Sequence, residues 1–210
     1  MTSNQPTLAT IRQALAAHRP TVLATDRPHA AVAMLLADAQ PVPEALFIVR
    51  AQHDRDPWSG DIGFPGGRVA PGDGDPRRTA ERETGEELAL DLAATDYFGR
   101  LDDLYGATLP ILVSCFVYAA PARPRLRANY EVAGSFWIPL DRLLDPSRHR
   151  VEQFSYRGRM TSQPVADLLG PGAPLLWGIT YRLLRNFFGI LDLPFGQRVP
   201  DTACPPPDPR

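Results

Sequence analysis

Apolar residues recur at helical spacing near both ends of the chain and at strand spacing between them. Residues 7–18, TLATIRQALAAH, place Ile11, Leu15 and Ala16 on one face and stop at Arg19-Pro20, which predicts a short helix. Residues 29–37 and 44–51 predict strands, the second rich in β-formers, and Pro41 and Pro43 form a turn through which the two can pair as a hairpin. Residues 52–75 have no regular period. A loop of that length is usually functional. Asp75-Pro76 reads as an N-cap and first helical residue, opening a helix to about Leu88. Further strands are expected over 95–101, 110–119 and 132–138, and a short helix over 139–145. Residues 147–173 read as irregular and basic, with Arg148, Arg150, Arg157 and Arg159. Residues 175–191 predict a helix with Leu176, Ile179, Leu183, Phe187 and Ile190 on one face. That face can be buried within the domain or in a homodimer. The order is α/β of the α+β kind, one domain over 1–194, with a tail over 195–210 expected to be disordered.

Composition narrows the chemistry. All 22 basic residues are arginine, so Schiff bases, a P-loop lysine and a kinase strand lysine are excluded. The net charge of −2 gives no sign of nucleic-acid binding. Cys115 and Cys204 lie far apart without metal-ligand spacing, which argues against zinc and fits a reducing, cytoplasmic compartment. No apolar run reaches membrane-spanning length, and the first residues lack the pattern of a signal peptide.

Chemistry concentrates in residues 60–90, GDIGFPGGRVAPGDGDPRRTAERETGEELAL. On the helix from Pro76, Glu83, Glu86 and Glu87 fall within about a third of the circumference. Ala80, Thr84 and Leu88 form a neighbouring stripe suited to packing on a sheet. Like charges at i, i+4 repel, and a bound divalent cation reverses that sign. Oxygen-only ligands suit Mg²⁺ or Mn²⁺. Gly66 and Gly67 on the preceding loop allow a backbone carbonyl or amide to approach a metal or phosphate. The competing reading is a solvated acidic face beside a flexible loop.

The whole segment resembles the Nudix box, G-x5-E-x7-R-E-U-x-E-E-x-G-U with U aliphatic. Gly67 opens it, and Arg82-Glu83-Thr84-Gly85-Glu86-Glu87-Leu88-Ala89-Leu90 closes it. Asp73 takes the first Glu position, one extra residue precedes Arg82, Thr84 stands at an aliphatic position, and Ala89 replaces a glycine. A methyl at 89 is accommodated if φ is negative there. The first two departures resemble the coenzyme A pyrophosphatase branch, as do Gly60 four residues before Phe64 in the upstream run Arg50 to Gly60, Gly99 to Asp103, Asn129 to Val132 and Trp177 to Thr180; Asp56 and Trp58, beside Arg55 in that run, stand where the branch is more basic or polar.

The resemblance implies an α/β/α sandwich with a mixed sheet, and Mg²⁺- or Mn²⁺-dependent hydrolysis of a diphosphate bond in a small nucleotide substrate. It points to coenzyme A or an acyl derivative, the alternatives being NADH, ADP-ribose or a non-catalytic ligand-binding domain. Glu83, Glu86 and Glu87 are the expected catalytic metal ligands, with a carbonyl from Gly67. Glu131 is a fourth carboxylate, a general base or simply an exposed loop glutamate. Arg82, Gly66 and Asp73 are expected to hold the box together, Arg82 by tying Glu83 to the loop. Arg50, Phe64 and Arg68 are expected to meet substrate, although Phe64 and Trp58 can equally pack beneath the loop. Arg123, Arg125 and Arg127 alternate, as on a strand edge.

Overall fold

The computed structural model describes residues 5–53, 58–107, 109–156 and 159–196. The expected tail beyond Gly196, Cys204, Arg55, Asp56 and Arg157 lie outside the described residues.

In chain order the elements are α1 (Leu8–Ala17), β1 (His29–Ala37), β2 (Glu44–Arg50), β3 (Ile62–Gly63), β4 (Gly66–Arg68), α2 (Pro76–Leu88), β5 (Asp96–Arg100), β6 (Leu104–Tyr105), β7 (Leu112–Ala120), β8 (Val132–Pro139), α3 (Leu140–Leu144), β9 (His149–Tyr156), β10 (Arg159–Ala166) and α4 (Gly178–Ile190). Short 3₁₀ turns at Leu92–Ala94 and Pro146–Arg148 complete the list.

β1 and β7 pair in parallel over their whole length, and every other pairing in the sheet is antiparallel, so the sheet is mixed. Alternation along each central strand feeds two cores. Met34, Leu36, Phe47, Cys115 and Val117 point to one side, where α1, α3 and α4 contribute Ile11, Leu140, Leu183 and Phe187. Ala33, Leu35, Leu46, Ile48 and Phe116 point to the other, where α2 contributes Ala80 and Leu88. The result is the α/β/α sandwich expected.

The expected hairpin of β1 and β2 forms only at its closed end, Leu36 opposite Ala45 and Ala37 opposite Glu44. Beyond that the two strands part. β3 lines the β2 prong and β4 the β1 prong, so the segment from Ile62 to Arg68 wedges the sheet open. The glycine bend sits in that fork.

Three expectations need correction. Residues 149–156 and 159–166, read as irregular, form the antiparallel pair β9 and β10. Val151 and Phe154 stand three residues apart and Met160 and Val165 five, so no two-residue strand period stands out. Arg123, Arg125 and Arg127 do not lie on a strand: residues 121–131 carry no strand assignment, and Arg123 forms an ion pair with the buried Glu44. Ala16 is exposed, whereas Ile11 and Leu15 are buried. The apolar face of α4 is used within the chain, since Tyr181, Leu183, Leu184, Phe187 and Phe188 are all buried.

Ala89 corrects a fourth. It is the C-cap of α2 with φ 52° and ψ 36°, the left-handed region that an L-residue with a Cβ adopts at a cost of about 1–2 kcal/mol. Ala89→Gly is therefore expected to stabilise the protein by about 1 kcal/mol, read as a higher urea midpoint with an unchanged slope.

A buried histidine, His149, and a half-buried one, His29, make stability depend on pH. His149 lies 2.8 Å from the Leu143 carbonyl through Nε2 and 3.0 Å from the Tyr181 hydroxyl through Nδ1. The carbonyl can only accept, so Nε2 carries the proton and Nδ1 accepts from Tyr181, which is the neutral ring. Burial pushes the pKa of His149 below its ordinary 6.5, outweighing the opposing pull of the Leu143 carbonyl and Asp145. Burial lowers His29 in the same way. The unfolded chain then takes up protons that the folded chain refuses. This contribution is complete above about pH 6.5 and is lost as pH falls. The urea midpoint is expected to be lower at pH 5.5 than at pH 7.5, and the difference to shrink in His149→Gln.

Candidate active site

α2 is built to present carboxylates beside the fork. Asp75 caps it by accepting from the Arg77 amide, Pro76 occupies its first turn, and Ala80, Thr84 and Leu88 are buried against the sheet. Thr84 replaces an aliphatic residue without leaving a polar orphan, because its hydroxyl donates to the Ala80 carbonyl at 2.7 Å.

Glu87 is the most enclosed of the carboxylates. Its side chain is 2% exposed, and its Oε2 accepts from the Gly66 amide at 2.9 Å. Arg50 approaches the other oxygen at 3.8 Å. Burial still dominates and pushes the Glu87 pKa up to about 7, against the Gly66 amide and Arg50. Glu83 is raised as well, again chiefly by burial, with Arg82 opposing and Glu86 and Glu131 reinforcing the rise. For both carboxylates, burial outweighs the guanidinium beside them.

Arg82 bridges the loop and the acidic face of α2. It donates to both oxygens of Asp73 at 3.0 and 3.1 Å and pairs with Glu83 at 2.9 Å and Glu86 at 3.2 Å. Asp73 also accepts from the Ala70 amide and the Thr79 hydroxyl, closing the loop upon itself. These bonds, the Arg82 one first, hold its carboxyl well below the usual range.

Residues 127–131 run antiparallel past the end of α2. The amides of Arg127 and Asn129 donate to the carbonyls of Leu88 and Glu87, and the Ala51 amide donates to the carbonyl of Glu131. This strap delivers Glu131, exposed at the rim, to the same opening.

That opening is a cavity of about 440 Å³. Glu83, Glu87, Glu131, Gly66, Gly67 and Arg68 line one end, with Arg50 and His53 beside them. Ile111, Val113, Trp177, Ile179 and Leu183 line the other, with Gln163, Thr180 and Arg182 among them. Phe64 touches the cavity, but it is buried and stacks on Phe47 with ring centroids 5.2 Å apart. Glu86, Arg82 and Asp73 are not part of the lining; Glu86 is 57% exposed and held by Arg82. The far end draws on β7, β10 and α4, and no spacing in residues 60–90 could have announced it.

The donor set nonetheless fits a hard divalent ion. The Glu83 carboxyl lies where a Cβ on Gly67 would be, 2.4–2.6 Å away, so carboxylate and glycine backbone meet in one cradle. Glu87 is a buried anion with one amide donor and one distant guanidinium, a state that a cation would relieve. Among the described residues no three acidic, His or Cys side chains are gathered tightly enough to enclose an ion as they stand. Glu83 and Glu86 are both paired with Arg82.

A wedge-opened mixed sheet between helical layers, with a glutamate helix facing a glycine bend, defines an α/β/α sandwich. The NUDIX domain model matches residues 27–157. The chain belongs to the Nudix hydrolase family. It is 33% identical over 153 residues to the human protein named mitochondrial coenzyme A diphosphatase NUDT8, covering 72% of this chain and 64% of that one, so the match spans less than two thirds of that relative. The mouse protein of the same name is 31% identical over 200 residues, covering 92% of this chain and 91% of that one. A solved MutT/nudix family protein from Enterococcus faecalis superposes with a TM-score of 0.56 at 15% identity, over 89% of this chain and 70% of that one, and shares the fold. Among the described residues no helix is long and apolar enough to cross a membrane.

Proposed function

We propose that the protein hydrolyses the diphosphate bond of coenzyme A or an acyl derivative, with Mg²⁺ or Mn²⁺ as the cofactor. The observation that carries this reading is one cavity of about 440 Å³ that the carboxylates Glu83, Glu87 and Glu131 share with an apolar arm lined by Ile111, Val113, Trp177, Ile179 and Leu183. A nucleoside diphosphate with a short polar partner would leave that arm unfilled. The names of the two mammalian relatives support the same substrate.

Glu83 and Glu87 would hold the ion, with Glu86 joining on release from Arg82 and the carbonyl of Gly67 close by. When bound, the ion supplies Lewis-acid polarisation of a phosphoryl oxygen and lowers the pKa of an attacking water. The chain's own groups set the rest. The Gly66 amide fixes the rotamer of Glu87. Arg50 and Arg68, at the same end of the cavity, are placed to bind diphosphate oxygens. Glu131, on the rim and tethered through its backbone, is the carboxylate with room to accept a proton from water. Arg82 and Asp73 keep the loop closed.

Mass spectrometry of products from a substrate panel with Mg²⁺ and Mn²⁺ tests this. Coenzyme A should give phosphopantetheine and adenosine 3′,5′-bisphosphate. Products from NADH or ADP-ribose with none from coenzyme A would overturn the substrate, and no product from any diphosphate would overturn the activity.

A further inference from the structure

Two polar side chains in the apolar arm are not used by the fold. Gln163 on β10 is 9% exposed and Thr180 in the first turn of α4 is 6% exposed. Both line the cavity. Among the described residues neither the Gln163 amide nor the Thr180 hydroxyl has a hydrogen-bond partner in the protein, and neither is sealed away like the Nε atoms of Arg100 and Arg148. Nearly buried polar groups are almost always bonded, and leaving one unmade costs more than a typical bond gains. Their partner is therefore to be sought in whatever fills the arm.

The surrounding wall is rigid and mostly apolar. Trp177 donates from its indole nitrogen to Asp61 at 3.0 Å, and Phe154 stacks on it at 4.8 Å with an interplanar angle of 16°. This ties β9, the start of α4 and the approach to β3 into one wall. Ile111, Val113 and Leu183 supply its apolar lining. An amide side chain offers both a donor and an acceptor, and a hydroxyl offers the same. A secondary amide answers both, its N–H donating and its carbonyl accepting, and the apolar side chains around them favour a methylene-rich chain over a ring rich in hydroxyls.

We propose that this arm is a binding site for a linear chain bearing amide groups, recognised by Gln163 and Thr180 and walled by Trp177. The proposal deepens the reading of coenzyme A above and rests on it for the chain's attachment to a diphosphate. It adds the residues that distinguish such a chain from other diphosphate partners.

The test uses the whole protein and free pantetheine, which has the amides but no diphosphate, beside an equally long thiol whose amides are replaced by methylenes. Calorimetry or ligand-observed NMR is expected to show pantetheine binding about tenfold more tightly than the analogue. Gln163→Met and Thr180→Val, near-isosteric changes, are each expected to remove most of that preference without weakening the analogue. A purely structural role would weaken both ligands alike. The proposal is overturned if the unaltered protein does not prefer pantetheine, or if both variants keep the preference. Should either variant fail to fold, the other and the analogue comparison in the unaltered protein still decide. If coenzyme A is not hydrolysed while the preference persists, the proposed substrate falls and the amide site stands.

Discussion

Glu87→Gln is expected to lower kcat on a diphosphate substrate by about a thousandfold, roughly 4 kcal/mol at the transition state, and to weaken Mg²⁺ binding in calorimetry. The amide keeps the volume of the carboxylate and can still accept from the Gly66 amide, so the fold should survive. In the metal-free protein it is expected to melt higher, not lower. Glu87 is an anion in a site that burial makes hostile to charge, and Gly66 and Arg50 only partly compensate. Removing that charge should stabilise by about 1 kcal/mol, seen as a rise of roughly 2–4 °C. Lost activity together with a raised melting temperature separates a functional carboxylate from a structural one. Activity within tenfold of the unaltered protein would remove Glu87 from the chemistry.

The helix that carries Glu87 was readable because several local rules agree there. Asp75-Pro76 marks its start, Ala80, Thr84 and Leu88 keep helical period, and the glutamates share a face. β2 and β7 were readable as runs rich in strand-forming residues, and β1, HAAVAMLLA, as an apolar run ahead of the proline turn. β3 and β4 were not. Elements of two and three residues have no period to detect, and they exist because β1 and β2 diverge and leave backbone groups to be paired. Ala89 hid its left-handed backbone because alanine, unlike glycine, carries no mark of it. The site divides in the same way. At the carboxylate end Gly66, Gly67, Glu83 and Glu87 are local in sequence and spacing brings them together, whereas Arg50 and Glu131 arrive from β2 and the 127–131 strap. Its far end joins Ile111, Gln163 and Trp177, which only the sheet and α4 bring together.

Adjacent glycines in the fork are expected to respond in opposite ways to the same added methyl group. Gly66 has φ 148°, and a Cβ there would lie 2.3 Å from the Ala31 carbonyl oxygen and 2.6 Å from the Val32 Cα. Both are backbone atoms of β1, paired with β4 and unable to step aside. Gly66→Ala should cost about 3 kcal/mol of stability from strain and overpacking, and it should displace the amide that holds Glu87. At Gly67 the three atoms nearest the Cβ all belong to the Glu83 carboxyl, at 2.4–2.6 Å. That is the end of a flexible side chain, and rotating it away relieves the contact. Gly67→Ala should therefore fold with a urea midpoint close to that of the unaltered protein, yet lose Mg²⁺ affinity and at least a hundredfold in kcat as Glu83 leaves the cradle. Denaturation and calorimetry on the two variants decide whether the glycine bend serves the backbone alone. If Gly67→Ala keeps full metal affinity, Glu83 is not a ligand. If Gly66→Ala is as stable as the unaltered protein, the wedge between β1 and β2 is not set by close backbone approach.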